Sequence, residues 1–124
     1  MARKKILIVD DEKDILLMLE KRLIAEGYSV LTADNGKDAI TIAKSKSPDL
    51  VILDVVMPGM DGCEVAEKLK DDYSTQDIPV IFLTALLTRK EEYIKDHIIA
   101  VFAKPFDPEE LLAEIKTLME AAAI

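Results

Sequence analysis

Short apolar runs rich in Ile, Val and Leu alternate along the chain with longer segments in which apolar residues recur at helical spacing. This alternation is typical of parallel βαβ units, because a strand covered by helices on both faces is apolar along its whole length. The expected fold class is therefore α/β: a doubly wound, five-stranded parallel sheet with helices on both faces. The predicted strands are residues 6–9, 28–32, 50–53, 78–83 and 100–103.

The segments between these runs predict helices with recognisable ends. The first helix is expected from about Asp14 to Glu26, with Gly27 as its left-handed stop. Asp61 is a suitable N-cap for a later helix, and Asp107 for the last one. Apolar residues between positions 86 and 99 follow one helical face only loosely, so we expect a short or irregular helix there.

Composition narrows the possible functions. At 124 residues and 50% hydrophobic content, the chain has the size of one compact domain, which we place at residues 1–124. The net charge of −8 argues against direct nucleic-acid binding, which needs a clustered basic surface. The single cysteine excludes an internal disulfide, and the sequence has neither an export signal nor an apolar stretch of membrane-spanning length. We therefore expect a cytoplasmic protein without membrane contact.

Polar side chains stand where four of the predicted strands end. Asp10 and Asp11 follow the first strand, and Asp54 follows the third. Thr84 and Lys104 follow the fourth and fifth. In the strand order 2-1-3-4-5, a common layout with right-handed crossovers, these ends lie side by side. Three carboxylates there would repel one another unless a cation intervenes, and oxygen donors without Cys or His favour Mg²⁺.

This set of side chains suits phosphoryl transfer, in which positioning and charge neutralisation account for most of the rate enhancement. Asp54 is the natural nucleophile, because a carboxylate can accept a phosphoryl group as an acyl phosphate. Thr84 and Lys104 would then meet the bound phosphoryl group. The sequence therefore predicts a Mg²⁺-dependent phosphoryl acceptor at this edge of the sheet.

Four segments of the sequence, taken in order, resemble the response-regulator receiver domain of two-component signal transduction. The resemblance covers nearly the whole chain and implies a CheY-like, flavodoxin-like fold. Each segment is a weak signal alone, whereas the four together are highly specific. The matching segments are Val9–Glu12, Leu53–Gly62, Thr84–Ala85 and Lys104–Phe106.

The resemblance implies a Mg²⁺-dependent reaction at Asp54. This residue would take a phosphoryl group from a phosphohistidine on a sensor histidine kinase or a phosphotransfer protein. Asp11, Asp54 and the backbone carbonyl of Val56 would bind Mg²⁺, and Asp10 would hold the ion through water. No enzymatic activity is expected beyond self-catalysed phosphorylation and slow dephosphorylation of Asp54.

The same resemblance implies a molecular switch. Thr84 would move toward the phosphoryl group and Lys104 would pair with it, with a cis peptide bond before Pro105. The resulting change in a protein-binding surface would be sensed by a downstream protein or a fused output domain. The chain is expected to be a monomer or a weak dimer.

Three features differ from the usual receiver pattern. In receivers, the position three residues before the lysine of the site usually holds an aromatic residue. In this chain the lysine is Lys104 and that position is Val101. The neighbouring Phe102 should face the other side of the strand. The interval from Thr84 to that lysine is about two residues shorter than usual, which predicts an atypical output surface. The positions that flank the path of attacking water hold Val56 and Leu86, which cannot orient water, so we expect a long-lived acyl phosphate.

Three other functions fit parts of the pattern. The main alternative is a phosphorylation-independent pseudo-receiver that serves as an interaction module, which Val101 suggests and the complete acidic set opposes. A phosphohydrolase with an aspartate nucleophile usually has a second aspartate two residues later, where this chain has Val56. A flavin or nucleotide binder would need a Gly-rich phosphate loop after the first strand, which instead ends in acidic residues.

Overall fold

A computed structural model describes residues 3–85 and 98–122 of the chain. The strands are β1 (Lys5–Val9), β2 (Ser29–Ala33), β3 (Leu50–Asp54), β4 (Val80–Thr84) and β5 (Ile98–Ala103). The helices within the described ranges are α1 (Lys13–Ala25), α2 (Gly36–Lys46), α3 (Gly62–Lys70) and α4 (Pro108–Ala122). The irregular helix predicted between positions 86 and 99 falls on residues 86–97, outside the described residues, and its last two positions belong to β5 instead.

The five strands form one parallel sheet in the order β2-β1-β3-β4-β5, which confirms the predicted topology. Every residue of β3 and β4 is buried, because both strands have neighbours on each side and helices above and below. The carboxyl ends of β1, β3, β4 and β5 therefore lie next to one another along one edge of the sheet.

Successive residues of each strand face opposite sides of the sheet and enter two separate apolar clusters. Leu7 and Val9 of β1 pack with the inward residues of α2 and α3. Ile6 and Ile8 pack with the inward residues of α1 and α4. Helices thus cover both faces, as predicted, and no helix within the described ranges is long and apolar enough to cross a membrane.

The ends of the helices agree with the predicted signals, with one exception. Asp61 Oδ1 accepts a hydrogen bond from the amide three residues later, and Asp107 Oδ1 from the amide two residues later, each at 2.9 Å. Gly27 follows α1 with a φ of 97°, the left-handed conformation expected of a stop. However, α1 begins at Lys13, and the carboxylate of Glu12 at its N-cap accepts no hydrogen bond from the first turn of this described helix.

Strand β5 contains a one-residue bulge beside β4. Val80 pairs with Ile98, and Ile81 pairs with Ala100, so Ile99 is an extra residue between two consecutive pairs. Neither Gly nor Pro marks this position in the sequence, and the bulge was not predicted. Pairing continues without further shifts to the end of both strands.

Val101 and Phe102 lie on opposite faces of β5, as the strand period predicts. Val101 packs against the cluster that faces α2 and α3. Phe102 packs against the cluster that faces α1 and α4. The phenyl ring of Phe102 therefore cannot take the place of an aromatic ring at position 101.

Candidate functional site

Four strands end in polar residues along the same edge of the sheet. Asp10 directly follows β1, and Lys104 directly follows β5. Asp54 and Thr84 are the last residues of β3 and β4. The backbone N–H of Lys104 donates to the Thr84 carbonyl at 2.8 Å, which ties two of these ends together. The side chains of Asp10, Asp54 and Thr84 are buried, so this edge holds polar groups that are largely shielded from water.

The ammonium group of Lys104 lies among three carboxylates of the described residues. Its Nζ is 2.8 Å from Asp10 Oδ2 and 3.2 Å from Asp54 Oδ2. The third carboxylate belongs to Glu12, whose Oε1 is 3.1 Å away. Only 10% of the Lys104 side chain is exposed, so salt screens these ion pairs less than it screens pairs on the surface. The peptide bond from Lys104 to Pro105 is cis, as the resemblance implied.

The two carboxylate oxygens of Asp10 have different surroundings. Oδ1 accepts a hydrogen bond from the backbone amide of Glu12 at 2.9 Å. Oδ2 forms the 2.8 Å ion pair with Lys104 Nζ, and this buried oxygen has no hydrogen-bond partner within the described ranges. The contact is an ion pair, and it leaves the oxygen able to accept from water or to face a further cation.

Asp54 is a buried carboxylate with an altered acidity. Burial is the main reason that its pKa is raised to about 7, and the charge of Asp10 adds to the effect. Lys104 and a hydrogen bond from the Val56 amide, 3.2 Å from Oδ1, act in the opposite direction. This hydrogen bond places the Val56 backbone beside Asp54. The Val56 residue itself is 49% exposed to solvent.

The pKa of Lys104 is set by burial and by neighbouring charges that act against each other. Burial alone would lower the pKa of its ammonium group, but the neighbouring carboxylates of Asp10, Glu12 and Asp54 outweigh burial and raise this pKa. Lys104 therefore carries its positive charge at neutral pH. Its charge partly compensates the acidic groups around it.

The acidic residues after β1 have the donor chemistry of a hard-cation site. One carboxylate oxygen from each of Asp10, Asp11 and Glu12 lies within 4.8 Å of the others. All the donors are oxygens, which suits Mg²⁺, and the Asp10 oxygen without a hydrogen-bond partner supports this fit. Sequence analysis gave Glu12 no role. Its place beside two aspartates was the available signal, but periodicity does not reveal where an exposed side chain points.

Gly62 allows α3 to begin directly against the end of β3. Its amide donates to the Val55 carbonyl at 2.9 Å. A Cβ at this position would lie 2.3 Å from the backbone oxygen of Asp54 and 2.8 Å from the Cα of Val55. Both atoms belong to the backbone and cannot rotate away, so only glycine fits. This close approach fixes the backbone that carries the Asp54 carboxylate.

Relatives in sequence point to one family. Residues 6–116 match the family model described as response regulator receiver domain. The probable transcriptional regulator ycf27 of Porphyra purpurea is 41% identical over 97% of this chain and 49% of its own length. Response regulator PleD of Caulobacter vibrioides is 41% identical over 92% of this chain and 26% of its own length. The chain thus spans about half, or less, of the length of these relatives.

Solved structures give the same answer. The receiver domain of Francisella response regulator 1452 has a TM-score of 0.89 at 27% identity, covering 97% of this chain and 99% of that one. Vibrio cholerae chemotaxis protein CheY4 has a TM-score of 0.86 at 32% identity, covering 94% of this chain and 98% of that one. With the strand order and the matched residues, these comparisons show that the chain belongs to the response regulator receiver domain family.

Proposed function

We propose that this chain is a phosphorylation-controlled switch. Asp54 accepts a phosphoryl group from a phosphohistidine of a sensor histidine kinase or a phosphotransfer protein, in a Mg²⁺-dependent reaction. The observation that carries this proposal is the buried Asp54 carboxylate, which lies 3.2 Å from the Lys104 ammonium at the carboxyl edge of the sheet. Ligands of open α/β sheets bind at this edge.

The transfer forms one bond and breaks another. An oxygen of the ionised Asp54 carboxylate attacks phosphorus, a P–O bond forms, and the P–N bond to the donor imidazole breaks. The imidazole nitrogen keeps the electron pair of that bond and takes up a proton. Lys104 can then pair with the anionic phosphoryl oxygens instead of Asp54 Oδ2, through charge-assisted hydrogen bonds.

The carboxylates present fit a Mg²⁺ ion, which would neutralise charge on the phosphoryl oxygens. Asp11, Asp54 and the Val56 carbonyl are the proposed direct ligands, and Asp10 is the proposed ligand through water. The buried Asp10 Oδ2 supports this assignment, because no described residue donates a hydrogen bond to it.

The phosphodonor has room to approach. A cavity of about 390 Å³ lies beside Lys104. Ile15, Met18 and Phe106 form its apolar part, and Glu12 and Lys104 form its charged part. This combination of apolar and charged side chains suits contact with a protein donor beside Lys104.

The switch acts through a protein-binding surface rather than through turnover of a substrate. In the proposed order of events, Thr84 moves toward the phosphoryl group. The Lys104 amide moves with it, because this amide donates a hydrogen bond to the Thr84 carbonyl. The partner that senses this change is a downstream protein or a fused output domain. Since the matched relatives are longer than this chain, a fused domain is a direct way to use the same switch.

The proposal is tested by incubating the chain with Mg²⁺ and acetyl phosphate and recording its intact mass. We expect one phosphoryl adduct that disappears in Asp54→Asn and without Mg²⁺. Asp71→Asn, an exposed aspartate at the end of α3, is the matched control and should still form the adduct. If neither acetyl phosphate nor several sensor kinases label the chain, a phosphorylation-independent interaction module becomes the better account.

A further inference from the structure

Glu12 has a contact that the proposed chemistry does not require. It stands at the N-cap of α1, yet its carboxylate accepts no hydrogen bond from that described helix. Its Oε1 instead accepts a hydrogen bond from Lys104 Nζ at 3.1 Å, across 92 positions of sequence. The Glu12 side chain therefore contacts Lys104 at the edge of the candidate site instead of capping the helix that it precedes.

The ammonium of Lys104 has three protons to donate, and in the described part of the chain it faces three carboxylates. A phosphoryl group on Asp54 would present further anionic oxygens to the same ammonium. One of these oxygens takes the place of Asp54 Oδ2 at the ammonium, and the others compete with Asp10 and Glu12 for its remaining protons. The Asp10 side chain is fully buried, whereas 60% of the Glu12 side chain is exposed to water. Releasing Glu12 from Lys104 therefore costs less free energy than releasing Asp10, because water can solvate the Glu12 carboxylate.

We propose that Glu12 is a positioning residue that holds the Lys104 ammonium in the unphosphorylated chain and is displaced by the incoming phosphoryl group. This inference rests on the proposed function and deepens the part that Lys104 plays in it. Because Glu12 competes with the phosphoryl oxygens for one ammonium, its removal accelerates phosphorylation of Asp54. The usual strength of an ion pair with one exposed partner sets the gain at about threefold to fivefold.

The first test compares the rate of phosphorylation by acetyl phosphate with Mg²⁺, followed by intact mass. Glu12→Gln should react about fivefold faster than the unmodified chain. Asp14→Asn removes the same charge from an exposed position in the first turn of α1 and should stay within about twofold. An equal gain in both variants would overturn the proposal in favour of general charge repulsion. A slower Glu12→Gln that needs more Mg²⁺ would also overturn it, since Glu12 would then be a metal ligand.

The second test asks whether Glu12 acts through Lys104. In a chain that already carries Lys104→Met, adding Glu12→Gln should leave the rate of phosphorylation unchanged, because no ammonium remains for Glu12 to hold. A gain of the same size in the Lys104→Met background would contradict the inference. A double variant that matches Lys104→Met supports it.

The third measurement does not depend on phosphorylation. The side-chain ammonium resonance of Lys104 is recorded in the ¹⁵N-labelled chain without Mg²⁺ and assigned by its loss in Lys104→Met. Glu12→Gln should shift this resonance, and Asp14→Asn should leave it in place. An unchanged resonance in Glu12→Gln would overturn the inference even if the rates differ. If the unmodified chain takes no phosphoryl group, the proposed function fails, and this spectrum alone decides whether Glu12 holds Lys104.

Discussion

The Asp54 carboxylate is buried beside the carboxylate of Asp10 before any phosphoryl group arrives. Burial, with a contribution from Asp10, raises its pKa to about 7, far above the value of about 3.9 expected in an unfolded chain. The folded chain therefore binds the Asp54 proton more tightly than the unfolded chain does. The resulting stability is fully present below about pH 4 and is lost as the pH rises through about 7.

Replacing Asp54 by Asn removes this penalty. At about pH 8 without Mg²⁺, we expect Asp54→Asn to raise the free energy of unfolding by about 2 kcal/mol, and near pH 4 the two chains should be equally stable. Urea unfolding at both pH values measures the difference. Asp71→Asn, which changes an exposed aspartate at the end of α3, serves as control and should give no comparable gain in stability. A gain from Asp54→Asn that is as large at pH 4 as at pH 8 would contradict the electrostatic explanation.

Val56 bears on the lifetime of the proposed acyl phosphate on Asp54. Its side chain is exposed beside Asp54 but cannot form a hydrogen bond to water, so we expect slow hydrolysis in the unmodified chain. Val56→Asn should shorten the lifetime by about tenfold by orienting a water molecule. Leu17→Asn, at an equally exposed apolar position on α1, should have no effect. The measurement is the decay of the phosphoryl adduct by intact mass, and loss within seconds from the unmodified chain would refute slow hydrolysis.

At the scale of elements, the approach of α3 to β3 depends on Gly62. Gly62→Ala should cost about 2 kcal/mol or more in unfolding free energy and slow phosphorylation, because the new Cβ must push the Asp54 backbone aside. Gly59→Ala is a suitable comparison: φ there is 77°, but its Cβ would meet no described atom within 4 Å. It should cost only about 1 kcal/mol and leave phosphorylation unchanged. Equal losses in urea unfolding would show that contact with Asp54 is not the cause.

The junction of β4 and β5 is the element most directly linked to the site. Since the Lys104 amide is bonded to the Thr84 carbonyl, phosphorylation should shift backbone amide resonances along β5 and the first turn of α4, even though Val101 lacks an aromatic ring. Spectra of the chain with and without acetyl phosphate measure this effect, and Asp54→Asn should show no shifts. Shifts confined to residues around the acidic pocket would argue against coupling through this junction.

At the scale of the whole molecule, one edge of the sheet carries the proposed chemistry. The order of strands and the convergence of Asp10, Asp54 and Lys104 could be predicted from sequence, because uninterrupted apolar runs mark buried parallel strands and polar residues mark their ends. The contact between Glu12 and Lys104 could not be predicted, since it depends on a side-chain direction. The bulge at Ile99 could not be predicted either, because neither Gly nor Pro marks this position in the sequence.

That bulge lets β5 contain one more residue than the partner strand without changing the direction in which Lys104 points. Side chains of a strand alternate between the two faces, so an added residue would normally turn every later side chain to the wrong face. Here Ile99 absorbs the extra position, and Ala100 to Ala103 keep their partners on β4. The bulge thus adds one residue to β5 while the lysine that follows the strand stays aimed at Asp54.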